Sequence, residues 1–135
     1  MKKIISFVAS ILLTLVLGGI VHSAFPIVSS PQWTNISTLS NLIVFDGLDG
    51  TAAGSVYGKT GTTKVEGTLT VYKQTGGTWE YIDSASETTT TKTYVSLSVD
   101  FDAISGEYYK SVFEVSVTRN GIEETETKYS YKTCP

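Results

Sequence analysis

Thr63-Lys-Val-Glu-Gly-Thr-Leu-Thr-Val-Tyr-Lys73 alternates with a period of two. Val65, Gly67, Leu69 and Val71 fall on one side, and Lys64, Glu66, Thr68, Thr70 and Tyr72 on the other. Successive side chains of an extended chain point to opposite faces, so this is a strand with one face on a core and one in water. Gln74-Thr-Gly-Gly77 supplies a turn, and Trp79 to Ser84 returns as a second strand. Trp79 and Ile82 lie three apart, so burying both would need a bulge or a strong twist.

The same pattern extends in both directions. Upstream, Leu42 to Phe45 and Thr51 to Tyr57 flank the turn Asp46-Gly-Leu-Asp-Gly50. Downstream, Val95, Leu97, Val99 and Phe101 alternate with Tyr94, Ser96, Ser98 and Asp100. Thr88 to Thr91 reads as a flexible connection between sheets. In the last hairpin Ser111, Phe113, Val115 and Val117 form the inward face before Arg119-Asn-Gly121. A two-residue Asn-Gly loop would set Glu124, Glu126 and Lys128 opposite that face, and charge on a core face is costly. A three-residue loop with Gly121 in a left-handed bulge shifts the register by one and brings in Glu123, Thr125, Thr127 and Tyr129 instead. The three-residue loop is the expectation.

About seven strands result: 42–45, 51–57, 63–73, 78–84, 93–101, 107–118 and 122–132. No segment holds a helical period, and Thr, Val, Tyr and Ser suit a pleated, half-buried surface. Short, evenly spaced strands without crossover helices predict an all-β, antiparallel two-sheet sandwich. The segment 106–117, Gly-Glu-Tyr-Tyr-Lys-Ser-Val-Phe-Glu-Val-Ser-Val, resembles the strand entry of immunoglobulin-like and fibronectin type III domains where a tyrosine ties a corner. Tyr108 or Tyr109 would fill that role. The cysteine pair that joins the sheets of true immunoglobulin domains is absent.

The N-terminus sets the expected location. Lys2 and Lys3 precede an uncharged apolar stretch, Ile4 to Val21, and small residues follow at Ser23 and Ala24. This is the layout of a secretory signal peptide. At about 18 residues the stretch is at the lower limit for a membrane span, and no basic stop-transfer cluster follows it. The expected organisation is a signal peptide over 1–24, an extended segment over 25–40 that covers one end of the core, and a sandwich domain over 41–135. Cleavage removes His22, the only histidine of the 135 residues, together with Lys2 and Lys3. The net charge then moves from −3 to about −5. Scattered basic residues in an acidic chain argue against nucleic acid or anionic membranes as partners.

Several motifs together, Trp33-Thr-Asn-Ile36, Gly61 to Lys73, Gly77-Thr-Trp79 and Thr118-Arg-Asn-Gly121, resemble a group of small secreted proteins of Gram-positive bacteria. The resemblance implies export and an immunoglobulin-like sandwich, and it carries over no catalytic or binding residue.

Without histidine, Ser-His-Asp and Cys-His arrangements and histidine-ligated zinc are excluded from the mature chain. No cofactor and no enzymatic activity are expected. Calcium is a candidate chemistry: Asp100, Asp102 and Glu107 surround a strand-to-strand corner, and Asp46 and Asp49 bracket another turn. The spacing does not match an EF-hand, and Asp and Gly are ordinary turn formers. A second candidate is a binding surface of outward tyrosines, Tyr57, Tyr72, Tyr94, Tyr108 and Tyr131, suited to an extracellular protein or carbohydrate. Such tyrosines also stabilise sheets through cross-strand pairing. Cys134 stands alone and reads as an exposed tail thiol, available for pairing between copies. A monomeric, secreted, non-catalytic interaction module is the expected function. The alternatives are an assembly protein linked through an edge strand or Cys134, and a small secreted enzyme.

Overall fold

The computed structural model describes residues 32–135. The signal peptide over 1–24 and the first part of the segment 25–40 lie outside the described residues. Seven antiparallel strands follow: β1 (Ile36–Asp46), β2 (Asp49–Gly58), β3 (Thr62–Thr75), β4 (Thr78–Thr89), β5 (Tyr94–Asp102), β6 (Tyr108–Arg119) and β7 (Ile122–Thr133). They form two sheets, ordered β1-β2-β5 and β4-β3-β6-β7. The all-β, two-sheet sandwich expected from the alternation is the fold. The first strand starts at Ile36, inside the stretch expected to be an extended cover.

Three hairpins close with two-residue turns. Gly47-Leu48 joins Asp46 to Asp49, Gly76-Gly77 joins Thr75 to Thr78, and Asn120-Gly121 joins Arg119 to Ile122. Asn120 and Gly121 both have positive φ, 54° and 75°, as a type I′ turn requires. Its twist matches that of the flanking strands, which is why Asn-Gly there is a strong hairpin signal.

This turn overturns the expected three-residue loop. Val117 faces Glu124, Val115 faces Glu126 and Phe113 faces Lys128. The three charges do point to the inner side of β7, but β7 is an edge strand and its inner side meets the edge of β1. Glu124 accepts the backbone N–H groups of Thr34 (2.7 Å), Asn35 (3.0 Å) and Ile36 (2.9 Å). Glu126 accepts the indole N–H of Trp33 at 3.2 Å, and the Lys128 ammonium donates to the Leu39 carbonyl at 3.0 Å. Inward charges on an edge strand also keep other chains from pairing with it. The burial cost was overstated because these groups have partners.

A polar seam continues along this side. Asn41 donates to the carbonyls of Ser111 and Lys128, and the Ser111 hydroxyl donates back to Asn41 Oδ1 at 2.7 Å. Buried Asn35 donates to the carbonyls of Val117 and Ile122. No buried side-chain nitrogen or oxygen among the described residues lacks a partner.

The core lies between the sheets, with Val56, Val65, Leu69, Val71, Val95, Phe113 and Val117 fully buried. Phe113 sits at its centre. A methyl group on Gly54 of the opposite sheet would come 2.8 Å from the Phe113 ring, and one on Gly67 would come 3.1 Å from it. Both glycines therefore leave the volume that the ring fills. At one end Phe45, Phe101 and Tyr109 form a three-ring cluster with centroids 5.1–6.0 Å apart. The Tyr109 hydroxyl accepts the Ile104 N–H at 2.9 Å, which ties the β5–β6 loop to the strand that follows it.

Cys134 departs from expectation. It is buried, with its thiol towards the Gly47 carbonyl at 3.8 Å. Its N–H donates to the Glu107 carbonyl and its carbonyl accepts the Gly106 N–H. A link between copies through this thiol would require the C-terminal segment to leave the fold. Thr88 and Thr89 belong to β4, and the Thr89 hydroxyl accepts the N–H groups of Thr91 and Lys92, forming a side-chain turn rather than a loose connection.

Candidate functional site

The candidate site is the outer face of the four-stranded sheet. The β3 alternation sends Glu66, Thr68, Thr70 and Tyr72 to that face, and the pairings place their neighbours in rows across the strands. One row runs Thr88, Glu66, Ser116, Thr125; the next runs Ser86, Thr68, Glu114, Thr127. Then come Ser84, Thr70, Val112, Tyr129, and then Tyr81, Tyr72, Lys110, Tyr131. Trp79 and Tyr108 lie beyond the last row.

A bulge in β4 makes this arrangement possible. Val71 pairs with Asp83 but Tyr72 pairs with Tyr81, so Ile82 is the extra residue. Ile82 and Ala85 both pack on the core, while Tyr81 and Trp79 are carried outward. The bulge is what lets Ile82 and Ala85, three apart, both face the core; Trp79 and Ile82, for which burial of both would have needed a bulge, end on opposite faces and are not both buried.

The outward rings form one connected cluster. Trp79 reaches across β3 to contact Tyr108 (centroids 5.8 Å) and Tyr131 (6.1 Å). Tyr131 lies 6.0 Å from Tyr108 and 6.4 Å from Tyr129, with ring planes within 20° of parallel. Tyr72 meets Tyr81 edge to face at 6.3 Å. The Lys110 ammonium sits 4.4 Å from the Trp79 centroid and 4.9 Å from that of Tyr72, within cation–π range. Tyr81, Tyr129 and Tyr131 remain 57, 54 and 50% exposed, and Val112 beneath them is 8% exposed. Tyr81 donates its hydroxyl to Ser84; among the described residues the hydroxyls of Tyr72, Tyr108, Tyr129 and Tyr131 meet no protein partner.

Beside the cluster lies an open trough of about 300 Å³. Its floor is the backbone row of Gly67, Val115 and Glu126, whose side chains point away. Its walls are Glu66, Ser116 and Thr125 on one side and Thr68, Glu114 and Thr127 on the other. Carboxylates and hydroxyls line it.

The five tyrosines expected at a binding surface separate into two groups. Tyr72, Tyr108 and Tyr131 share this face, whereas Tyr57 and Tyr94 stack on each other at 5.4 Å on the outer face of the three-stranded sheet. Trp79, Tyr81, Tyr129 and Lys110 join the site and were not expected there. Trp79 reaches this face through the bulge at Ile82, and Tyr129, expected on the inner face from the three-residue loop, reaches it through the two-residue turn. The signal that finds both is the Asn120-Gly121 turn and the three-residue offset at Ile82.

Of the calcium candidates, Asp100 and Asp102 share one face of β5, and Glu107 lies apart from them before β6. Asp100 lies opposite Thr51 and accepts its hydroxyl at 2.8 Å, Asp102 pairs with Asp49, and Glu107 is in the turn before β6. Asp49, Asp100 and Asp102 border a hollow of about 440 Å³. Among the described residues no three acidic, histidine or cysteine side chains are placed to hold a metal ion. No helix among the described residues is long and apolar enough to cross a membrane.

Fold and site define a seven-stranded β-sandwich protein with an exposed aromatic face. Neither a protein-family model nor a curated protein matches the chain. A solved structure to which it is similar is the sporulation control protein Spo0M from Bacillus subtilis, at TM-score 0.37 and 10% identity over 73% of this chain. The chain spans about half the length of that protein, 49%.

Proposed function

We propose that this protein is exported, loses its first two dozen residues, and works outside the cell as a non-catalytic binding module. The Trp79–Tyr131 face is its contact surface, for an extracellular protein or carbohydrate. One observation carries this reading: large amphipathic rings are gathered on one outer face and stay half exposed after pairing with each other. Exposed apolar area concentrated in this way marks binding surfaces, since scattered single residues are what a surface without a partner shows. The lack of histidine in the mature sequence removes histidine-activated nucleophiles and histidine-ligated zinc. An immunoglobulin-like relationship is supported by the Tyr109 hydroxyl, which bonds back to the backbone a few residues upstream as a tyrosine corner does.

The test is retention of the purified protein by envelope and extracellular-matrix fractions of the producing cells. Wild type and Tyr57→Ala should be retained, and Trp79→Ala/Tyr131→Ala should be lost with its melting temperature within a few degrees of wild type. Equal retention of the double variant would show that this face is not the contact surface.

A further inference from the structure

Along its strands the outer face of the four-stranded sheet passes from aromatic rings to carboxylates and hydroxyls. From Tyr72 to Gly67, at the trough floor, is five residues, or about 16 Å of strand. We propose that this face binds a neutral polysaccharide chain, which packs sugar rings on Trp79 and Tyr131 and places sugar hydroxyls in the trough. The inference rests on the reading of the face as a contact surface and narrows its ligand.

Three features select this ligand. Sugar rings present C–H faces that pack on the electron-rich faces of Trp and Tyr, while the phenol and indole tips keep hydrogen-bonding capacity. Sugar hydroxyls both donate and accept, and so match the acceptor carboxylate of Glu114, the two-way hydroxyls of Thr68, Thr125 and Thr127, and the Ser116 hydroxyl, which donates to Glu123 at 2.6 Å and is left to accept. The trough is open and does not end in a cavity, and successive outward rows lead from it along the strands to the rings, which suits an extended chain.

Charge and side-chain type exclude the competing ligands. Glu114 walls the trough, Glu66 opposite it is paired with Lys64 at 3.1 Å, and the mature chain has a net charge of about −5, so a uronate or phosphate polymer meets repulsion. Among the described residues the one cation within the cluster, Lys110, is already held between Trp79 and Tyr72. A protein partner is anchored by side chains in desolvated pockets at the centre of an interface. Here the centre is a row of Glu, Ser and Thr, and Val112 is covered.

The experiment uses affinity electrophoresis and calorimetry on protein expressed from the full-length chain. The probes are xylan, glucomannan, laminarin, hydroxyethylcellulose and soluble chitin oligosaccharides, with polygalacturonate as the anionic control. At least one neutral polymer should bind, with a blue shift of Trp79 emission. Affinity should rise at least about tenfold from disaccharide to hexasaccharide, because only the longer chain reaches both rings and trough. Trp79→Ala/Tyr131→Ala and Thr68→Ala/Glu114→Gln should each weaken it at least about tenfold at unchanged melting temperature, and Tyr57→Ala should not. Binding by polygalacturonate alone, by no neutral polymer, or with equal loss in Tyr57→Ala would overturn the inference. If retention by envelope fractions still requires Trp79 and Tyr131 but vanishes after protease treatment of those fractions, the ligand is a protein: the polysaccharide falls and the contact surface stands. If retention is also indifferent to Trp79 and Tyr131, both fall.

Discussion

The carboxylate of Glu124 on β7 accepts the backbone N–H of Ile36 at the start of β1, 2.9 Å away, and through this bond one sheet closes on the edge of the other. Thr34 and Asn35 donate to the same carboxylate. Three donors on one acceptor pair make the chain's entry into the sandwich depend on a single ionised side chain. Charge-assisted bonds of this kind are about twice as strong as neutral ones.

Glu124→Gln should lower stability by about 1–3 kcal/mol, read from urea unfolding at pH 7. Partial burial favours the protonated acid, but the N–H groups of Thr34, Ile36 and Asn35, helped by Lys59, outweigh it and hold the Glu124 pKa below its ordinary 4.5. With the folded value depressed, the stabilisation is complete above pH 4.5 and is lost as pH falls through the folded value. Wild type should therefore lose stability below about pH 4.5 more steeply than Glu124→Gln. Parallel acid limbs would show that the carboxylate's charge contributes nothing.

Gly54→Ala should destabilise by about 1–3 kcal/mol although alanine is the milder backbone choice in a strand. The added methyl meets the Phe113 ring at 2.8 Å, and that ring has no exposed side towards which to move. Chemical denaturation measures the cost; a neutral or stabilising result would mean that the sheets can separate locally.

Tyr109→Phe keeps the ring cluster and removes only the acceptor of the Ile104 N–H. A loss of about 1 kcal/mol is expected. Hydrogen exchange at Ile104 should speed up more than exchange in the centre of β6.

The Cys134 thiol should react slowly with a chromogenic disulfide reagent in the native protein and at once in 6 M guanidinium, since reaction requires exposed thiolate. Native reaction as fast as that of free cysteine would place the C-terminal segment off the fold.

The strands of this fold are legible in the sequence because period-two alternation follows directly from the pleat, as Val65 to Val71 illustrate. The β7 register was not legible from burial cost alone. Whether Glu124 and Lys128 can face inward depends on what lies opposite, and here it is the β1 edge, nearly 90 residues away in the chain. The local rule for Asn-Gly gives the correct turn, and it was outweighed by a charge penalty reckoned without those partners. The site was half legible for a related reason. Tyr72 and Tyr108 are outward by the alternation of their strands, whereas Tyr131 shares the face of Tyr129 and is outward only with the two-residue Asn-Gly turn; their meeting with Trp79 depends on the one-residue bulge at Ile82 and on the order β4-β3-β6-β7. Cys134 shows the same limit: nothing local to a terminal Thr-Cys-Pro reveals that its backbone pairs with Gly106 and Glu107.

The close approach of Gly54 and Gly67 to Phe113 implies a rule for sequence drift. These positions share one fixed volume although they lie on three strands of two sheets. A relative carrying alanine or serine at position 54 should therefore carry a smaller side chain at 113, and one keeping the phenylalanine should keep both glycines. Substitution at these positions should be correlated rather than independent, and a chain that breaks the correlation should have its two sheets set farther apart.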